Sequence, residues 1–382
     1  MTDTIRKAVI PIAGAGTRLA PLTHVVPKAL FPLVDAQDRC RPVLHWIAAQ
    51  AAAAGVTDLA IVLSPAQLPM VRAYLDSLGA AAGRSAKPSR LARVLTAAAP
   101  PLPRRIELLV QDRPAGFGDA VLQAQAFVGK ERFLLLLGDH VYLPQGPSCP
   151  QQVAAAFARC GGAAMIGVQP VSADDLPRVG VAAGEPLAAT NSKCPPPRAG
   201  ATLAAGATLK RSEAKLGGVP PCDAPAVYRC RAFIEKPTLA QARRTLLTPG
   251  LPPGKYLAHC GIYAFTDEIF DCLRALAARS GRPQARSIDV PPQARSTAGR
   301  LQARSTVGGS RRAQSPAPAE LELAAAQSLL LHRHGQDYYL CRIAGTALDT
   351  GTPATYARAC ETFHRGCSLV RGAIGEEGEN ND

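Results

Sequence analysis

The stretch VIPIAGAGTRLAPLTHVVPKALFPLVD, residues 9–35, opens as an apolar run and then empties into a loop. Ala13 is followed by two glycines one residue apart, Gly14 and Gly16, and by the pair Thr17-Arg18. A proline-punctuated segment then leads to Pro27-Lys28, and the chain turns apolar again. A strand that ends in glycines is the pattern of an α/β sheet, where ligands lie beyond the carboxyl ends of the strands. The stretch is no dinucleotide fingerprint, because Leu19 occupies the third glycine position of G-x-G-x-x-G, and no G-x-x-x-x-G-K-[ST] loop is present. The physics of anion binding is still there. Glycines let backbone N–H groups approach an anion, Arg18 offers a planar fork to phosphate oxygens, and Lys28 supplies a compact point charge.

Further apolar runs of strand length follow: LAIVLS (59–64), IELLVQ (106–111), RFLLLLGD (132–139) and AAMIGVQPV (163–171). Between them, PVLHWIAAQAAAAG (42–55) and GDAVLQAQAFV (118–128) carry apolar residues at helical spacing. Runs that are apolar on both faces and alternate with helices predict an α/β fold. Its central sheet is expected to be mostly parallel or mixed, with helices on both faces. The glycine loop at 14–18 and Asp139 both fall at strand ends, so both are expected on one rim of that sheet.

The net charge of +14 over 382 residues would suit a nucleic-acid partner, but its distribution argues against one. Residues 279–318 hold eight arginines against the single acid Asp289, in a stretch almost free of apolar residues and with QARS at 284, 293 and 302. That segment, and the breaker-rich 184–226, are expected to be disordered inserts. They would interrupt a single domain over 1–366, followed by a flexible tail over 367–382. The eleven cysteines show no CxxC pair and are read as reduced thiols. The N-terminus has the alternation of a strand start rather than a leader, and no window approaches 18 apolar residues. The chain therefore reads as a soluble cytoplasmic protein with no membrane partner. His332–His334 reads as a helix end, and His45 and Trp46 as core.

The opening stretch resembles the signature of the sugar-1-phosphate nucleotidyltransferases, G-x-G-T-R followed about ten residues later by P-K. Within them it is most similar to the bacterial-type UTP–glucose-1-phosphate uridylyltransferases, through Ile10, Pro11, Ala13, Gly14, Gly16, Thr17 and Arg18. VQDRPAGFGDAVLQA (110–124) resembles the family's base-recognition segment, which implies that Gln111 and Gly116 read the nucleobase. Asp119 stands there where this subfamily often has histidine. LLGDH (136–140) resembles the strand that ends in a metal-binding aspartate, Asp139, and LDTGTP (348–353) the motif supplying a second, Asp349. RVGV (178–181) and FIEKP (233–237) imply Gly180 and Glu235 as sugar contacts and Lys236 as the holder of the sugar phosphate. In AELELAA (319–325), Glu320 is in register as a further sugar contact, although Ala319 and Ala324 replace the family's glycine and threonine.

The resemblance implies a Rossmann-like, glycosyltransferase-A-like nucleotidyltransferase fold. It also implies an Mg²⁺-dependent enzyme that makes UDP-glucose and pyrophosphate from UTP and glucose-1-phosphate. Arg18 would hold the leaving phosphates, with Ala13 to Thr17 around them, and Lys28 would steady the α-phosphate. The alternatives are a thymidylyl- or guanylyltransferase, or a non-catalytic protein that binds sugar nucleotides. Self-association is left open.

Overall fold

The computed structural model describes residues 4–82, 100–187, 226–279 and 320–366. Its strands, in chain order, are β1 (Lys7–Pro11), β2 (Pro32–Val34), β3 (Cys40–Pro42), β4 (Asp58–Leu63), β5 (Arg105–Val110), β6 (Phe133–Leu136), β7 (His140–Pro144), β8 (Ala164–Ser172), β9 (Gly180–Pro186), β10 (Val227–Glu235), β11 (Lys255–Phe265), β12 (Tyr338–Arg342) and β13 (Gly345–Asp349). The helices are α1 (Val43–Ala53), α2 (Leu68–Ala82), α3 (Phe117–Leu122), α4 (Gln125–Val128), α5 (Cys149–Cys160), α6 (Leu239–Thr245), α7 (Glu268–Arg279), α8 (Leu323–Arg333) and α9 (Pro353–Gly366).

Among the described residues, nine strands form one sheet in the order β5-β4-β1-β6-β11-β8-β12-β10-β9, and β9 also pairs with β11. The first four are mutually parallel. From β6 onward the pairings are antiparallel except for β8 with β12. The sheet is thus mixed, with a continuous parallel run at one end and a single further parallel pair, β8 with β12, in the other half. The reason shows in β10, where buried Tyr228 and Cys230 flank a half-exposed Arg229. An antiparallel strand tolerates that one wet face, whereas the inner parallel strands β1, β4 and β6 are closed on both and only the edge strand β5 is partly exposed.

Alternation along β1 divides the core. Ala8 and Ile10 point to one face, where they join Leu44, Trp46 and Ile47 of α1, and Val9 points to the other with Ala120 and Val121 of α3. Each large side chain so enclosed contributes about 1.5–3 kcal/mol. Helix α1 is buried without a break from Val43 to Ala51, its two polar side chains partnered, Gln50 by the Tyr142 carbonyl and His45 by the Tyr74 hydroxyl. Trp46 anchors it, donating to the Leu33 carbonyl at 3.3 Å and meeting Phe363 of α9 edge-on at 5.2 Å. The helix expected over 118–128 breaks at Gln123–Ala124, and Val121, Ala124 and Val128 all remain buried.

Strand β9 continues through Pro186, so residues 184–186 extend the sheet rather than open an insert, and Arg279 closes α7. The rest of the two expected inserts, and the tail over 367–382, lie outside the described residues. Cys40, Cys149, Cys230, Cys260, Cys272, Cys341 and Cys360 carry free thiols. Cys160 is disulfide-bonded, which corrects the expectation of reduced thiols throughout. Among the described residues, no helix is long and apolar enough to cross a membrane. Helix α8 ends at Arg333, as the HRH reading expects, and His334 Nε2 lies 2.5 Å from Glu268 Oε2 of α7.

Candidate active site

Strand β1 lies between β4 and β6, and its continuation carries the glycine loop. Ile12 N–H donates to the Val62 carbonyl at 2.7 Å, which extends the pairing one residue before the loop departs. The buried Gln67 then fastens the loop. Its Nε2 donates to the Ile12 carbonyl at 2.9 Å and the Gly14 carbonyl at 3.4 Å, and its Oε1 accepts from Ser64 N–H at 2.9 Å. Gly16 has φ +65°, a left-handed conformation that a side chain would strain, and Thr23 Oγ1 donates to its carbonyl at 3.1 Å. A β-carbon on Gly16 would also come within 3.6 Å of Lys28 Cδ, so the loop runs alongside that lysine. Thr17–Leu19 form a short 3-10 turn, on which Arg18 is exposed and has no ion-pair partner among the described residues.

Lys28 reaches across to Asp139, its Nζ standing 2.5 Å from Oδ2. Asp139 follows β6, the parallel neighbour of β1, so both expected groups occupy the same rim. Asp349 arrives from the far end of the chain through a two-stranded pairing. β13 runs antiparallel to β7, with Asp349 opposite His140 in register. Thr350 seals the junction, its N–H and Oγ1 both donating to the Asp139 carbonyl at 2.8 and 2.9 Å. Asp349 Oδ1 accepts from Gly351 N–H at 2.6 Å.

Donor atoms of Asp139, His140 and Asp349 all lie within 4.8 Å of one another. Two carboxylates separated in sequence and converging at one point are the donor set that a hard divalent cation takes, alongside substrate phosphates. Burial works to raise the Asp139 pKa, but it is overcome by the Lys28 ammonium and by the His140 hydrogen bond, 2.9 Å from Nδ1 to Oδ1. The carboxyl is held well below the usual carboxylate range. For His140, burial works to lower the pKa and is in turn overcome by Asp139 and Asp349, leaving it raised.

The expected sugar residues gather on antiparallel strands. Gly180 of β9 pairs in register with Glu235 of β10, and a β-carbon at Gly180 would lie 2.7 Å from Glu235 Oε2 and 3.2 Å from His259 Nδ1. Burial raises the Glu235 pKa, with Lys236 opposing and Glu322 adding to the shift. Lys236 adopts φ +50°, rare for a residue with a side chain, while its N–H donates to the Val179 carbonyl at 3.1 Å. Its Nζ stands 3.9 Å from Glu235 Oε1. Strand β11 links this group to the carboxylates. A β-carbon at Gly261 would meet His140 Cγ at 3.1 Å, and the buried Tyr263 hydroxyl, its pKa raised first by burial, is also raised by both Glu235 and Asp139.

Gln111 follows β5, its N–H donating to the Leu63 carbonyl at 2.8 Å. Its side chain reaches Gly116 and Asp119. Gly116 has φ +109°, and a β-carbon there would strike the backbone of Leu321 at 2.6 Å. Glu320 is therefore placed beside the Gly116 segment. The acidic charge that acts on Glu235 is that of Glu322, two residues further on. The motifs did not single out Gln67, His140, His259, Thr350 or Glu322. For Glu322, the i, i+2 relation to Glu320 on extended chain was the available signal.

Residues 7–183 match the family described as Nucleotidyl transferase. A UTP–glucose-1-phosphate uridylyltransferase of Streptococcus pneumoniae serotype 4 is 28% identical over 284 residues, covering 74% of this chain and 77% of that protein. One from Mycoplasma pneumoniae is 31% identical over 186 residues, 47% of this chain and 60% of that protein. Among solved structures, a UDP-glucose pyrophosphorylase complexed with UDP-glucose matches with a TM-score of 0.58 at 18% identity, covering 94% of this chain and 98% of that one. A UTP-bound UGPase from Acinetobacter baumannii gives 0.56 at 18% identity, covering 94% and 93%. The mixed sheet with its helices is thus the nucleotidyltransferase fold.

Proposed function

We propose that this chain transfers a uridylyl group from UTP to glucose-1-phosphate, releasing pyrophosphate and making UDP-glucose. The observation that carries the reading is the meeting of Lys28, Asp139 and Asp349 on the rim beside the glycine loop, within a nucleotidyl transferase domain. Several uridylyltransferase relatives support it.

In this reading an oxygen of the sugar phosphate attacks the α-phosphorus in line, and the bond to the bridging oxygen of pyrophosphate breaks. The attacking oxygen is already anionic, so no side chain need take a proton from it. Catalysis is positioning and charge stabilisation. Arg18, exposed and unpaired, takes the β- and γ-phosphates on the loop from Ala13 to Thr17. Lys28 exchanges its Asp139 partner for the α-phosphate, where negative charge builds. Asp139 and Asp349 would hold a divalent cation, Mg²⁺, with His140 beside them. When bound, such an ion neutralises phosphate charge. Lys236 orients the sugar phosphate, and Glu235, the Gly180 backbone and Glu320 face the sugar side. Gln111 and Gly116 take the uracil.

The test is pyrophosphate release with Mg²⁺ and glucose-1-phosphate, with UTP, dTTP, GTP, ATP and CTP supplied separately. Strong preference for UTP is expected. Preference for dTTP or GTP would keep the reaction type and replace the substrate. Silence with all five, and with other sugar-1-phosphates, would overturn the enzymatic reading.

A further inference from the structure

Gln111 is buried, 6% exposed, and its side-chain amide is held from two directions. Nε2 donates to Asp119 Oδ2 at 2.7 Å and to the Gly116 carbonyl at 3.2 Å. Both partners are acceptors only, since neither an ionised carboxylate nor a peptide carbonyl offers a proton. The amide can therefore stand in one orientation, with NH₂ toward Asp119 and Gly116. The opposite orientation would set its oxygen against two other oxygens. Both Nε2 protons are consumed, and the group left to meet a ligand is the carbonyl Oε1, which can only accept.

The loop that enforces this is itself clamped. Leu321 N–H donates to the Ala115 carbonyl at 2.9 Å, and Gly118 N–H donates to the Leu321 carbonyl at 2.7 Å. Gly116 packs against the same backbone closely enough that no β-carbon fits. Asp119 sits in the first turn of α3, directly beyond this clamp.

We propose that Asp119 is a specificity-setting positioning residue: it locks the Gln111 amide so that Oε1 faces the nucleobase. The inference rests on the reading that Gln111 meets the base. An acceptor in that place pairs with a ring imide N–H. Uracil carries one at N3, and thymine and guanine carry equivalents. Cytosine and adenine present an unprotonated ring nitrogen instead, so that two lone pairs would face each other in a site with little water to relieve them. Asp119 thus divides the nucleoside triphosphates into accepted imide bases and rejected amino-pyrimidine and amino-purine bases. Shape alone separates the members within each group.

The test is the isosteric variant Asp119→Asn, with UTP and CTP compared both in turnover and in equilibrium binding by calorimetry. Asparagine can donate as well as accept, so the stronger, charge-assisted half of the lock is lifted and only the Gly116 carbonyl still opposes a turned-over Gln111. The UTP-over-CTP ratio is expected to fall about 10- to 100-fold, the scale of losing one charge-assisted hydrogen bond. In a Gln111→Leu background the same Asp119→Asn change should leave the ratio untouched, because the group it positions is gone. A merely structural role for Asp119 would weaken UTP and CTP alike and persist in that background, and that result would overturn the proposal. So would wild-type discrimination in Asp119→Asn. The binding ratio is measurable without turnover, so a chain that binds UTP over CTP but releases no pyrophosphate would refute the proposed reaction and leave the base filter standing.

Discussion

In the parallel half of the sheet, β5-β4-β1-β6, the functional side chains stand on loops that follow the strands. In the antiparallel half they stand on or directly after the strands themselves. Gly16, Arg18, Lys28, Gln111 and Asp139 all lie past a parallel strand's carboxyl end, where backbone N–H groups and long side chains can converge on a ligand. Gly180, Glu235 and His259 are instead placed by strand register, Gly180 opposite Glu235 on β10 and His259 on β11 close to where a Gly180 β-carbon would stand. The difference teaches where tolerance lies. A loop supplies charge and can exchange partners, as the proposed reaction asks of Lys28. A register pair supplies fixed shape and has little room to adjust.

The largest effect is expected at Lys28, on the loop side. Lys28→Ala should lower kcat for pyrophosphate release by about 10²–10³-fold, the scale of losing one preorganised charge partner. An unchanged kcat would leave the loop cation solvated and idle. Asp139→Asn should come next, weakening the apparent affinity for the divalent cation about 10- to 100-fold. A metal titration overlaying the wild type would remove Asp139 from the ligand set.

Gly180→Ala sharpens the other half. The added methyl would lie 2.7 Å from Glu235 Oε2, and the carboxylate, being a side-chain end, can swing away. The fold should survive, while KM for the sugar phosphate rises about tenfold and KM for UTP holds. A rise in both, or in neither, would detach Gly180 from the sugar subsite.

The smallest effect concerns pH. Burial lowers the His259 pKa to about 4, and Nε2 is enclosed without a hydrogen bond. The folded pKa is below the unfolded value of 6.5, so the unfolded chain binds the proton more readily. The stability tied to a neutral His259 is full above pH 6.5 and is lost as pH falls from 6.5 toward 4. The slope is at most about 1.4 kcal/mol per pH unit. His45, also lowered to about 4 by burial and then by Arg41 and Arg39, adds a second share in the same window. His259→Gln should flatten the denaturation midpoint against pH over that range by one proton's worth. An unaltered slope would show that His259 is not kept neutral by folding.

Much of the rim was readable before any coordinates. Gly14 to Arg18, Lys28 and Asp139 announce themselves because glycines, cations and an aspartate beside apolar runs have few other uses in such spacing. Cys160 shows the opposite case, because no CxxC pair announces its bond. Glu320 shows a third, because two residues along an extended segment separate Glu320, beside Gly116, from Glu322, whose charge acts on Glu235.

The sequence by itself determined the alternation of apolar runs and helices, and the glycine loop with its two cations, since backbone conformation and local patterning are short-range properties. Only the tertiary structure decided which polar groups are paired. Lys28 with Asp139, Asp349 with His140 across β7 and β13, and Gln111 with Asp119 and Gly116 are settled by strand order and burial. Inside a folded chain an unpaired polar group is costly, so each one takes the partner that the topology brings within reach.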